Sequence, residues 1–429
     1  MGRRAVRRVV GLVAAACVAA GCTAPTSPET GADDTGRRTS TSSTPATSET
    51  TSSQPPSPQP TSGTSTGPTA TTDSSESPPP PPAEPRRLTV VMSGDVLLHE
   101  GLWETAKIDA ARTGRGPMDF RPLLGDMRSV IAGADLAVCH METPLAPRGG
   151  PYYGYPVFSA PPAIVPALDW VGYDVCTTAS NHSIDQGFEG LTRTLDYFDA
   201  AGIAHAGTSA TRRESRRPLV LDVAGVEVAI VSATYGTNGI PLPSEQPWSV
   251  PLLKVAAIKR MAARARDAGA EVVMVALHWG LEYTNEPTSD QLAIARQLTL
   301  SPDIDFIYGH HAHVVQPYDR INGTWVAFGL GNAVAQQETS VEGVYDGNTC
   351  RVTFVERPDG SFRVQKLEYI PTMITTFDGV HPMRMLNVLK DLDDPRYAAL
   401  RPQLRATERR VSAVIDMRGA FAEGVTAGR

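Results

Sequence analysis

From Leu88 to Thr372 the chain alternates strand-length apolar runs with stretches of helical periodicity, and that alternation restricts it to an α/β architecture. The β-branched run Leu88–Met92 ends at Gly94-Asp95. "PLLGDMRSVIAGA" (122–134) reads as an amphipathic helix feeding the strand in "DLAVCHMETPL", and "AIVPALDWVGY" feeds "DVCTTASNH". "GFEGLTRTLDYFDAAG" is helical up to a Gly202 stop, "LLKVAAIKRMAARARDAG" leads into the very apolar "EVVMVALHWG", and a helix near Ser289–Leu298 leads into "DFIYGHHAH". Turns at Ala224-Gly225 and Asn322-Gly323 mark hairpins, so antiparallel pairs mix with parallel ones.

The polar residues on this scaffold form a pattern. Asp95, Glu142, Asn181-His182, His278 and His310 to His313 each stand just beyond the C-terminal end of an apolar strand. That edge of an α/β sheet is where sites assemble. One such residue fits any solvent-facing loop; its repetition at separate strand ends, with three histidines inside "GHHAH" of a chain holding nine, points to a metal site. Imidazoles, carboxylates and a carboxamide suit Zn, Mn or Fe, and suit a two-metal centre better than a structural zinc.

The N-terminal part reads as a targeting segment and is set aside before the fold is considered. Arg3, Arg4, Arg7 and Arg8 precede the apolar run Val9–Ala20, which is too short to span a bilayer, and Ala19-Ala20-Gly21 precedes Cys22. The arrangement resembles a bacterial lipobox, with Cys22 as the lipidated new N-terminus; the alternative is an ordinary secretory signal with an incidental cysteine. Residues 23–86 are Ser, Thr and Pro with few large apolar side chains, so burial cannot offset chain entropy and a disordered tether is expected. At about 3 Å per residue it would reach well over ~100 Å. The net charge of −7 becomes more acidic once the four signal arginines leave, which argues against nucleic acid as a partner. Cys139, Cys176 and Cys350 make an odd number without CxxC spacing; they read as buried free thiols, although Cys139 and Cys176 would meet if their strands were neighbours.

"SGDVLL", "METPL", "ASNHSIDQG", "HWGLEY", "GHHAHVVQ" and "FGLGN", in this order, resemble the bacterial capsule synthesis protein CapA family, associated with poly-γ-glutamate production and itself similar to calcineurin-like metallophosphoesterases. The resemblance implies a metallophosphatase-like sandwich of two mixed β-sheets flanked by helices, over residues 87–375. It implies Asp95, Glu142, Asn181 and His278 as metal ligands, and His182 as the group facing substrate, oriented by Asp185. The family's Asn-Leu-Glu motif reads His140-Met141-Glu142 here, leaving His140 either to support the site or to pack. The Gly-His-x-His of metallophosphoesterases reads Gly309-His310-His311-Ala312-His313 here, one residue longer, so the expected ligands are His313 with either His311, the preferred partner, or His310. Asn332 either lines the site or holds its loop, and Glu282 and Tyr283 lie near substrate or merely pack.

The implied function is a lipid-anchored, extracytoplasmic hydrolase with two divalent ions. It would act on a cell-envelope polymer or phosphoester, held to the cell membrane through Cys22 and open to contact with a membrane polymer synthase. The competing readings are a non-catalytic component of polymer assembly or export, and an extracellular phosphatase or nucleotidase. His99 is expected to open a helix, and His205 and His381 to be ordinary histidines. Trp103, Trp170, Trp248 and Trp325 are expected in core or pocket walls. "MRMLNVLKDL" and Arg396–Ile415 read as helices of a C-terminal extension, residues 376–429.

Overall fold

A computed structural model describes residues 84–429 together with a two-residue strand at Arg7–Arg8. The rest of the expected signal, Cys22 and the Ser/Thr/Pro-rich stretch to residue 83 lie outside the described residues. In chain order the strands are β1 (Arg7–Arg8), β2 (Arg87–Val96), β3 (Leu136–Met141), β4 (Val175–Thr177), β5 (Ala204–Ala206), β6 (Leu219–Val223), β7 (Val226–Thr234), β8 (Val272–His278), β9 (Phe306–His310), β10 (Tyr318–Ile321), β11 (Thr324–Ala327), β12 (Asn332–Val334), β13 (Asp346–Glu356), β14 (Phe362–Ile374), β15 (Met385–Asn387) and β16 (Thr426–Ala427). The helices are α1 (Glu100–Thr113), α2 (Arg121–Leu124), α3 (Arg128–Ile131), α4 (Val165–Val171), α5 (Gly187–Ala201), α6 (Val255–Asp267), α7 (Ser289–Leu298), α8 (Val388–Asp391) and α9 (Arg401–Ile415).

They build two mixed sheets. One runs β1-β6-β7-β8-β9-β11-β10; the other runs β15-β14-β13-β2-β3-β4-β5, with β12 added to β2 and β16 to β14. The central strands are continuous apolar runs because both of their faces are buried. Val90, Met92, Val138 and Val175 of one sheet meet Val228, Ile230, Met274, Ala276 and Phe306 of the other in a shared core. Alternate residues point outward: Val91, Ala137 and Cys139 lie under α1 to α4, and Val273, Val275 and Ile307 under α6 and α7. Each such side chain contributes about 1.5–3 kcal/mol of burial, so the strand positions are firmly set.

The hairpin turns lie where the sequence places them, with Ala224, Gly225, Asn322 and Gly323 all at positive φ. α7 starts on a Thr288/Gln291 capping box, and Gly202 ends α5 in the left-handed region. Three expectations are corrected. The 122–134 helix is two four-residue helices, α2 and α3, joined by a 3-10 turn at Gly125–Met127. The segment expected to be a helix from Met383 begins as β15, because β14 offers it an open edge at Thr372–Ile374. Cys139 and Cys176 are not free thiols but a disulfide, since the parallel register of β3 and β4 sets them directly opposite, with Cα atoms 4.5 Å apart. Cys350 is free and buried, as expected. At the C-terminus Val411 and Ile415 of α9 join the inter-sheet core.

Two glycines let the ligand-bearing strand ends approach their neighbours. A Cβ on Gly94 would strike the Gly331 carbonyl, and one on Gly309 would strike the Phe328 carbonyl and the Trp279 indole nitrogen. Gly309→Ala is therefore expected to cost about 1–3 kcal/mol in chemical denaturation. Gly125→Ala, whose Cβ would meet nothing, should stay within about 0.5 kcal/mol of wild type. Equal losses in the two variants would contradict the packing argument.

Candidate metal centre

Strand register assembles the site. Asp95 pairs with His140 across β2 and β3, His278 pairs with His310 across β8 and β9, and Asn332 of β12 pairs with Asp95. Ligand-type residues from both sheets thus meet at one edge. Asp95, His140, Glu142, Asn181, His278, His310, His311, His313 and Asn332 are all buried.

Asp95 is held by the loop after β9. Its Oδ1 lies 2.8 Å from His310 Nδ1, its Oδ2 lies 3.2 Å from His313 Nδ1, and the His311 backbone N–H donates to it at 3.2 Å. Burial pushes this carboxyl up, but the contacts from His310 and His313 prevail and hold it well below the usual range. His311 and His313 sit at φ 87° and 54°, a conformation unusual for residues other than glycine, and this turns all three imidazoles inward. His310 stacks on His140 with centroids 4.0 Å apart.

His278 Nε2 lies 2.8 Å from Asn181 Oδ1 and 3.7 Å from Glu142 Oε1, and its Nδ1 lies 3.0 Å from His140 Nε2. His140 Nδ1 in turn is 2.8 Å from Thr177 Oγ1, which reaches the Cys139 carbonyl at 3.3 Å. Burial first, and then the facing imidazoles, push His140 and His278 well below the ordinary histidine range. Burial and His313 likewise bring His311 down to about 3. For His313 burial acts downward, but the Glu142 and Asp95 carboxylates outweigh it and raise the ring to about 9.

Glu142 decides what the cluster is built for. It is fully buried, yet neither carboxylate oxygen has a hydrogen-bond partner among the described residues; His310 Nε2 and His311 Nδ1 are likewise unpartnered. Burial, reinforced by Asp95 and Glu282, pushes its carboxyl well above the usual range against the pull of His313. A buried carboxylate left unpaired costs several kcal/mol, and a cation is the partner that oxygen and imidazole donors share. The donors fit divalent metals: Asp95, His140 and His310, then Asp95, Glu142 and His313, and also Glu282, His311 and His313, each bring ligand atoms within 4.8 Å of one another.

His182 stands beside this cluster. Its Nδ1 donates to Asp185 Oδ2 at 2.7 Å, and Phe158 packs edge-on against the ring with centroids 4.8 Å apart. Its Nε2 faces the Asn238 amide nitrogen at 3.5 Å, and Asn238 Oδ1 also accepts from Asn181 Nδ2 at 3.2 Å. Asn332 Oδ1 lies 3.1 Å from His313 Nδ1, while its amide donates to the His313 and Val344 carbonyls, so it grips the histidine loop. His99 stands at the N-cap position of α1 without a side-chain capping bond and touches Phe158 edge-on. His205 is not without companions, lying 3.6 Å from Asp199 and 3.8 Å from Glu214, and His381 pairs with Asp378. Sequence reasoning missed Asn238 and Tyr235, the latter 4.5 Å from the His311 ring. Their signal was positional: both follow β7 at the edge that carries the ligands.

Residues 89–337 match the family described as bacterial capsule synthesis protein PGA_cap. The chain belongs to that family. Among PGA_cap relatives, the capsule biosynthesis protein CapA of Bacillus anthracis is 31% identical over 183 residues, 42% of this chain and 44% of that protein. The PGA biosynthesis protein CapA of Bacillus subtilis is 29% identical over 184 residues, 40% of this chain and 45% of that protein. A Mycobacterium tuberculosis protein described as a polyglutamine synthesis accessory protein is 27% identical over 293 residues, 59% and 76% of the two chains. This PGA_cap chain thus spans less than half the length of the two CapA relatives. Among solved structures, a Mycoplasma pneumoniae phosphatase superposes with a TM-score of 0.41 at 13% identity, over 67% of this chain and 94% of that one. The calcineurin-like phosphoesterase YfkN of Bacillus subtilis gives 0.38 at 13%, over 76% and 99%. Superpositions this loose carry no argument about the reaction.

If Glu142 awaits a cation, thermal melts will show it. At a hundredfold excess over its dissociation constant, a divalent ion should stabilise the wild type by about 2.7 kcal/mol per site. Glu142→Gln should lose most of that increment while melting near the wild type in chelator. An increment that survives in Glu142→Gln would remove the carboxylate from the centre.

Proposed function

We propose that this PGA_cap protein is a lipid-anchored, extracytoplasmic, metal-dependent hydrolase of cell-envelope polymer metabolism. The observation that carries the reading is Glu142, buried with both oxygens unpartnered in a cluster of imidazoles, directly beside an oriented His182–Asp185 pair. Asp95, Glu142, Asn181, His278, His311 and His313 would hold two divalent ions, Mn, Zn or Fe, with His310 fixing Asp95. Such ions supply Lewis acidity to a phosphoryl or carbonyl oxygen and to a water.

The chain's own residues do the rest. With a metal on the His278 Nε2 lone pair, the ring proton would sit on Nδ1 and be donated to His140 Nε2. His140 then donates from Nδ1 to Thr177, and Thr177 donates to the Cys139 carbonyl. In that tautomer donation runs in one direction from His278 to the Cys139 carbonyl, so His140 is a positioning residue that selects the tautomer of His278. Asp185 does the same for His182: by accepting from Nδ1–H it leaves Nε2 facing the open side, where a second proton there can pass to a leaving oxygen. Asn238 anchors both Asn181 and the approach to His182, and Tyr235 covers His278 and His311 from the solvent side.

The relatives' names support the polymer setting, and the sequence of the N-terminus supports the anchor. Among the described residues no helix is long and apolar enough to cross a membrane; on this reading attachment is through lipidated Cys22. Turnover of a generic phosphodiester by metal-loaded protein should fall about 10²–10⁴-fold in His182→Ala with bound metal unchanged. Undiminished turnover would remove His182 from the reaction, and inactivity of the wild type would favour a non-catalytic assembly role. In cells, Cys22→Ser should move the protein from the membrane to the soluble fraction; unchanged fractionation would refute the anchor.

A further inference from the structure

We propose that the cleft between β5, β7 and α6 is a binding groove for a polycarboxylate chain, separate from the metal centre. The cleft has a volume of about 450 Å³ and lies where β5, the last strand of one sheet, faces β7 of the other. Lys254, Arg260 and Arg264 line it, and none of the three makes an ion pair or side-chain hydrogen bond among the described residues. Arg217 lines it as well. The one carboxylate in its walls, Glu214, already accepts from the Ala210 N–H and lies against His205.

Exposed cations in a chain of formal charge −7 have many acidic side chains to pair with. Lys254, Arg260 and Arg264 instead stand around a concave surface with no ion-pair partner among the described residues. Arg260 and Arg264 are one helical turn apart, so their positions repeat at about 5–6 Å along α6. Their stems can lie over Ile258 and Met261 while the guanidinium heads face outward. The buried hydroxyls of Thr208, Ser209 and Ser232 add neutral donors to the floor. This combination recognises a flexible row of carboxylates, each met by a mobile cation, better than a single compact anion.

The cleft shares no lining residue with the metal centre. The two places are mechanically adjacent: Thr208 Oγ1 on the cleft floor lies 2.7 Å from Thr178 Oγ1, at the start of the loop that carries Asn181 and His182. A chain seated in the cleft would be held beside that loop. The inference deepens the polymer side of the proposed function and does not depend on turnover at the metal centre.

The test is calorimetric titration of the full-length protein with poly-γ-glutamate of defined length at two salt concentrations, with Trp248 fluorescence in the cleft wall as a second readout. Arg260→Glu/Arg264→Glu should weaken binding by roughly tenfold or more and flatten its salt dependence, while metal content, phosphodiester turnover and melting temperature stay at wild-type values. His182→Ala should bind the polymer as the wild type does, so failure of the hydrolase reading leaves this result intact. No binding by the wild type, unchanged affinity in the double variant, displacement by neutral dextran, or tighter binding of single-stranded RNA of matched charge would each overturn the assignment.

Discussion

Two carboxylates buried among imidazoles, at the edge where the sheets meet, set the terms for the rest of the molecule. Withdrawing a carboxylate from water costs several kcal/mol even after relaxation. Asp95 recovers that cost through His310, His313 and a backbone N–H. Glu142 has no hydrogen-bond partner among the described residues and only longer contacts to His278 and His313, at 3.7 and 3.8 Å, so a cation or a proton is what completes its surroundings. The sandwich must therefore be stable enough elsewhere to hold a site that the protein alone leaves unsatisfied. Its shared inter-sheet core and two helix-covered outer faces provide that excess.

Holding ligands from both sheets at hydrogen-bond distance demands close backbone approach. Gly94 and Gly309 allow it one residue before Asp95 and His310, and Asn332 ties the histidine loop to the strand that hands over from β13 to β12 along β2. The positive φ angles of His311 and His313 are strain of the kind that persists only where surroundings enforce it. Here the enforcing contacts are Asp95 and Asn332.

Much of this was legible in the sequence, for identifiable reasons. Apolar runs with abrupt polar ends gave the strands of both sheets, and the chemistry of Asp95, Glu142, Asn181, His278 and the histidine loop marked the edge they share. The choice among His310, His311 and His313 was not legible, because it depends on backbone angles that no spacing rule encodes; the structure brings in all three. The Cys139–Cys176 bond needed the register of two parallel strands, which a sequence does not carry. Asn238 and Tyr235 belong to none of the motifs, although both follow β7 as the candidate ligands follow their own strands. Residues 383–387 looked helical by pattern, yet the free edge of β14 captured Met385–Asn387 as a strand.

The account gives the molecule two polar surfaces of opposite character: a carboxylate- and imidazole-lined centre that needs cations, and a cationic cleft that does not. A bound metal is what would give the buried cluster its meaning. Quantitative elemental analysis of the purified native protein tests that claim most directly. The account predicts close to two equivalents of a divalent transition metal per chain; a protein that carries none, and takes up none on equilibration with Mn, Zn or Fe, would contradict it.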